Sequence, residues 1–126
     1  GLVAAVNCVL LSHYDMFDYI DEHIVTAMLA FGGGVVWAVL SVPALGRHGT
    51  VAGQRMRKIG GAMAAIGFVV MLAAFNPVAS QIDASGMTTK EFLNEVQDAV
   101  VVAAPAEYVL VAGLMICIAS YMHELK

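Results

Sequence analysis

The residue in this chain best placed to do chemistry is Glu107. It is the single charge inside Ala99–Met122, a run otherwise free of charge. A carboxyl group at that depth in an apolar helix is costly, and by default it marks a function or a buried contact. It lies roughly 12 Å into the run by helical rise. Two uses fit. The carboxyl can bind and release a proton or cation, or it can pair with a polar group on another helix or another subunit. Candidate partners within the chain are Thr26, Ser41 and the neighbouring Tyr108. Pro105 adds to the site, because its missing N–H leaves the carbonyl of Val101 free nearby.

A second group spans His13 to His23 and holds two imidazoles and four carboxylates. On a helix Asp15, Asp18 and Glu22 share a face, and with His13 and His23 they are the residues that could hold a divalent cation. The spacing matches no metal motif such as H-E-x-x-H. The same residues suit a membrane interface. Tyr14, Phe17 and Tyr19 fit an aromatic belt, and Asp21 and Glu22 favour the positive end of a helix dipole. No resident metal is therefore expected. A haem needs histidines within the bundle, whereas His13, His23, His48 and His123 all lie at or beyond the ends of the apolar runs. No residue pattern argues for a quinone pocket. Cys8 and Cys117 form neither a ligand set nor a disulfide framework. There is no phosphate-binding glycine loop, no nucleophile set and no nucleic-acid signature, so neither an enzyme nor a nucleic-acid partner is expected.

The elements that must position these groups follow from composition. Sixty per cent of residues are apolar and 13% are charged, against about half and a quarter in soluble domains. Charge-free runs cover Ile24–Gly46 and Ile59–Ile82 as well as Ala99–Met122. Each exceeds the roughly 20 residues needed to cross a bilayer. The expected fold is an all-α, polytopic membrane domain over residues 1–126, with spans at about 24–46, 59–79 and 99–122. Gly1–Ser12 is apolar but half a span long, and it reads as a short helical segment, the end of a fourth helix or a processed terminus.

Arg47, Arg55, Arg57 and Lys58 lie in the 47–58 loop, whereas the N-terminal segment and the 80–98 loop are acidic. The positive-inside rule puts the basic loop and the C-terminus on the matrix or cytoplasmic side of a mitochondrial inner membrane or bacterial plasma membrane. Arginine and lysine there also suit anionic lipid head groups, and bound lipids are expected.

Packing is read from small residues. Gly32, Gly33 and Gly34 in the first span, and Gly60, Ala64 and Gly67 in the second, allow close backbone approach. The simplest use is a hairpin with the glycine run against that stripe. Asn76-Pro77 is expected to end the second helix. Thr88 and Glu91 fit a capping box opening one long helix, Thr89–Tyr121, whose first turns rest on the surface or on a partner. A glutamate beside small residues in a final helix resembles the rotary ATP synthase c-subunits. The chain lacks their two-helix hairpin and continuous glycine ladder, and no family is assigned. The expected function is a non-catalytic accessory subunit of a larger membrane complex, an energy-converting respiratory or photosynthetic assembly above all. The alternatives are a proton- or ion-conducting oligomer using Glu107, and a metal- or cofactor-binding subunit using the His13–His23 group.

Overall fold

The computed structural model describes residues 1–15, 18–46, 49–82 and 86–125. Arg47, His48, Asp83 and Phe17, which the sequence reading assigned to the basic loop, the acidic loop and the aromatic belt, lie outside the described residues. The described chain is all-helical: α1 (Leu2–Leu11), α2 (Ile20–Leu45), α3 (Val51–Ala79), α4 (Thr89–Glu95) and α5 (Gln97–Ser120), closed by a short 3-10 turn at Tyr121–His123. Among the described residues three helices are long and apolar enough to cross a membrane: Ile20–Leu45, Val51–Ala79 and Gln97–His123. At 1.5 Å per residue each is roughly 40 Å long, more than the hydrocarbon core.

The helical boundaries shift where local chemistry decides them. α3 begins at Val51, with the Thr50 hydroxyl accepting from the Gly53 N–H at 3.1 Å. Arg55, Arg57 and Lys58 therefore belong to its first turns rather than to a loop. At the other end α3 runs on past Asn76-Pro77 to Ala79. A proline in the last turn costs only one backbone hydrogen bond. The Thr88–Glu91 capping box forms as the sequence implies. The helix it opens is not continuous to Tyr121, because it breaks at Val96, with φ −90° and ψ 7°. Val96 is fully buried. The bend swings α4 back over the bundle, so that Phe92 packs edge-on against Phe75 of α3 with ring centroids 6.5 Å apart. The first turns thus rest on the chain's own second span.

The main helix pair is α3 with α5, not α2 with α3. A Cβ on Gly60 would stand 2.6 Å from the Gly113 carbonyl oxygen, and one on Gly67 would stand 2.6 Å from that of Ala106. A Cβ on Gly113 would meet the Gly60 carbonyl oxygen at 2.5 Å. Backbones in such contact gain packing on every turn, which in lipid is what holds helices together. The stripe Gly60, Ala64 and Gly67 is fully used against α5.

The Gly32–Gly34 run serves a different purpose from the predicted hairpin. Successive helical residues point about 100° apart, and the three glycines face three neighbours. Gly32 faces the Phe68 ring of α3, Gly33 faces Ala4 of α1, and Gly34 faces Leu114 of α5. α1 lies antiparallel along α2, with Gly1 beside Trp37 and Leu11 near His23.

Glycines on and off the α3–α5 contact should respond differently. Gly67→Ala forces the backbones apart and is expected to lower stability by about 1–3 kcal/mol. Gly61→Ala, whose new Cβ meets nothing nearer than 3.7 Å, should be neutral or stabilising. Unfolding of the two variants in mild detergent checks this. Equal losses would mean the α3–α5 contact is looser than described.

Candidate functional site

Among the described residues two places gather polar side chains, one at each end of the bundle. At the acidic-loop end, α2, α3, α4 and α5, with Leu11 at the end of α1, enclose a partly open cavity of about 210 Å³. Its walls are almost wholly apolar, and its two ionisable residues are His23 and Glu107. α4 forms part of the wall through Phe92 and Leu93, which the bend at Val96 brings there.

Glu107 is half-buried and makes no hydrogen bond or ion pair with any described residue. Its expected partners are occupied or turned away. The Thr26 hydroxyl donates to the carbonyl oxygens of Glu22 at 2.7 Å and His23 at 3.1 Å. Ser41 donates to the carbonyl of Ala38 at 2.7 Å. Both hydroxyls satisfy the backbone of their own helix, a common use of Ser and Thr inside apolar helices. Tyr108 is 78% exposed and points away from the bundle.

His23 is tied down on one side. Its Nδ1 lies 2.7 Å from the Tyr14 carbonyl oxygen. The rest of the His13–His23 group does not converge. Asp15 accepts from the Asp18 N–H at 2.8 Å in a local turn, and His13, Asp18 and Glu22 are exposed. Among the described residues no three His, Cys, Asp or Glu come together as a metal-binding group.

At the basic-loop end the structure builds a clasp that the sequence reading missed. Arg57 is fully buried, and its Nη1 donates to Glu124 Oε1 at 2.9 Å. The Thr50 N–H donates to the other Glu124 oxygen at 3.0 Å. The guanidinium lies over the Tyr121 ring at 5.9 Å, and Tyr121 in turn stacks on Trp37 with centroids 5.9 Å apart. Cation–π attraction is worth most where water is excluded. Nε and Nη2 of Arg57 have no hydrogen-bond partner among the described residues, so Glu124 and the aromatic face carry its charge. Gly49 and Gly53 leave the space, since a Cβ on either would overlap Arg57 or Glu124. Arg57 therefore fixes the ends of α3 and α5 to each other, beyond the topology role expected of it. Arg55 and Lys58 remain exposed, as lipid-facing or solvated cations would.

Compared with family models, with curated proteins and with solved structures, the chain matches none. Helix length and composition define it at the level of class: an all-α protein of the membrane type, with three described helices long and apolar enough to span a bilayer.

The clasp has a pH signature. The Thr50 N–H and then the Arg57 hydrogen bond hold the Glu124 carboxyl below the usual carboxylate range. Its contribution to stability is complete above the ordinary value of about 4.3 and is lost as pH falls through the lowered folded value. Glu124→Gln should thus unfold at lower temperature than the native chain at pH 7, and the gap should narrow below about pH 4. Arg57→Met added to Glu124→Gln should recover part of the loss, because a buried charge without its partner is worse than no charge. A gap independent of pH, or a double variant worse than Glu124→Gln, would contradict the clasp.

Proposed function

We propose that this chain is a non-catalytic accessory subunit of a larger membrane assembly. The observation that carries the reading is the open surface of α3. No residue of α3 from Phe68 to Ala79 is buried within the chain. All its buried residues sit on the stripe from Gly53 to Gly67. The opposite face, with Ile59, Ala62, Ile66, Val69 and Ala73, is exposed. Lipid can cover such a face, but the exposed alanines also let another helix approach closely. An energy-converting respiratory or photosynthetic complex is the host to examine first. The orientation proposed is the positive-inside one, with the start of α3 and the C-terminus on the matrix or cytoplasmic side of a mitochondrial inner membrane or bacterial plasma membrane.

Blue-native electrophoresis after mild extraction, with mass spectrometry of co-migrating chains, tests the proposal. It predicts migration in a hetero-complex of fixed composition. Migration alone, or as a homo-oligomer, overturns it.

The second reading, a proton- or ion-conducting oligomer, is favoured by the Glu107 carboxyl, which lies on a partly open cavity and has no partner among the described residues. Glu107→Gln separates the two. Ion flux into liposomes collapses in the variant if the carboxyl carries ions. Assembly and stability persist under the subunit reading, because an amide still hydrogen-bonds.

A further inference from the structure

The cavity at the acidic-loop end has more definition than a packing defect. An engineered pocket of about 150 Å³ admits benzene. At about 210 Å³ this one admits a single substituted six-membered ring and is too small for a phospholipid head with two chains.

Its walls suit a flat ring. Phe31, Phe75 and Phe92 line it together with the thioethers of Met28 and Met71. Aromatic rings pack against one another edge-to-face or offset, and sulfur packs favourably at ring edges.

Its polar points call for donors. The Tyr14 carbonyl can only accept, so in the 2.7 Å contact Nδ1 of His23 is the donor. In the neutral imidazole that leaves Nε2 as an acceptor. The Glu107 carboxyl accepts as well, and it has no partner among the described residues. Two acceptors in one apolar cavity fit a ligand that brings two hydroxyls.

Their separation narrows the choice. Gly34 of α2 faces Leu114 of α5, which sets the level of the two parallel helices. His23 is eleven residues before Gly34, and Glu107 is seven before Leu114. The difference of four residues sets the carboxyl deeper by roughly 6 Å along the helix axes. A ring with hydroxyls at opposite ends, each making a hydrogen bond of about 2.8 Å, covers that span. The cavity is partly open, which leaves room for an apolar tail to continue outside it.

We propose that this cavity binds a quinol-type amphiphile: a para-dihydroxy ring with an apolar tail, its hydroxyls hydrogen-bonded to Nε2 of His23 and the carboxyl of Glu107. The proposal concerns binding and includes no electron transfer. It does not depend on the subunit reading, and it is tested on the isolated chain.

The test is calorimetric titration of the full chain in mild detergent with decylubiquinol kept reduced. Monodecanoylglycerol, which has two hydroxyls, a similar tail and no ring, serves as the competing source of the same chemistry. Saturable quinol binding is expected. It should weaken about tenfold in His23→Leu and in Glu107→Leu, as loss of one hydrogen bond implies. Glu107→Gln, which still accepts, should bind within a few-fold of the native chain. Ala27→Phe, on the cavity wall, should abolish binding. If that variant loses helical circular dichroism, the two leucine variants carry the test. Three results would overturn the proposal: no saturable quinol binding, binding unchanged in both leucine variants, or monodecanoylglycerol binding as tightly as the quinol.

Discussion

The structure depends on the backbone-to-backbone approach of α3 and α5. Gly60, Gly67 and Gly113 remove the Cβ atoms that would keep the helices apart, and Ala64, Ala103 and Ala106 keep the rest of the seam thin. In lipid there is no hydrophobic drive between helices, so close dispersion contact along such a seam must supply the attraction. Everything polar is then placed by it. At one end it brings Arg57 and Glu124 together across 67 residues of sequence. At the other it sets Glu107, on the flank of the seam, on the wall of a cavity.

The clasp and the cavity differ in completeness. Arg57 is enclosed on all sides and has its counter-ion and an aromatic face. Breaking one partner of such a pair is costly, although the intact pair adds little net stability. Its effect is best understood as register, fixing how far α3 and α5 slide past each other. The cavity is the opposite case. Its two polar groups have hydrogen-bonding capacity that no described residue uses, which is the usual mark of a place that receives something.

Much of the fold was legible because its signals are local. Run lengths defined three apolar helices, and Thr88-x-x-Glu91 announced the start of α4. Pairing was harder, because a small-residue stripe tells how closely a helix can be approached and not by which neighbour. Gly32–Gly34 looked like one surface, yet its residues face three different helices. The bend at Val96 has no proline or glycine to betray it, and it brings the Phe92 ring edge-on to Phe75. The clasp did leave a trace. Arg57 falls on the Gly53–Gly60–Gly67 stripe, and Glu124 continues the Gly113–Cys117–Ser120 stripe of α5. Extending both stripes by a turn would have put the opposite charges side by side. Glu107 was visible at once, but its lack of a partner was not, since Thr26, Ser41 and Tyr108 each had the right chemistry and each points elsewhere.

The central claim is that α5, rather than α2, packs on the glycine stripe of α3. Solid-state NMR of the chain in lipid bilayers, with glycine labelled at the α-carbon, tests it without altering a residue. The chain has 12 glycines to assign. The account predicts a through-space correlation between Gly60 and Gly113, and none between Gly60 and the Gly32–Gly34 run. A Gly60 signal that correlates with the run and not with Gly113 would restore the α2–α3 hairpin and contradict the architecture described.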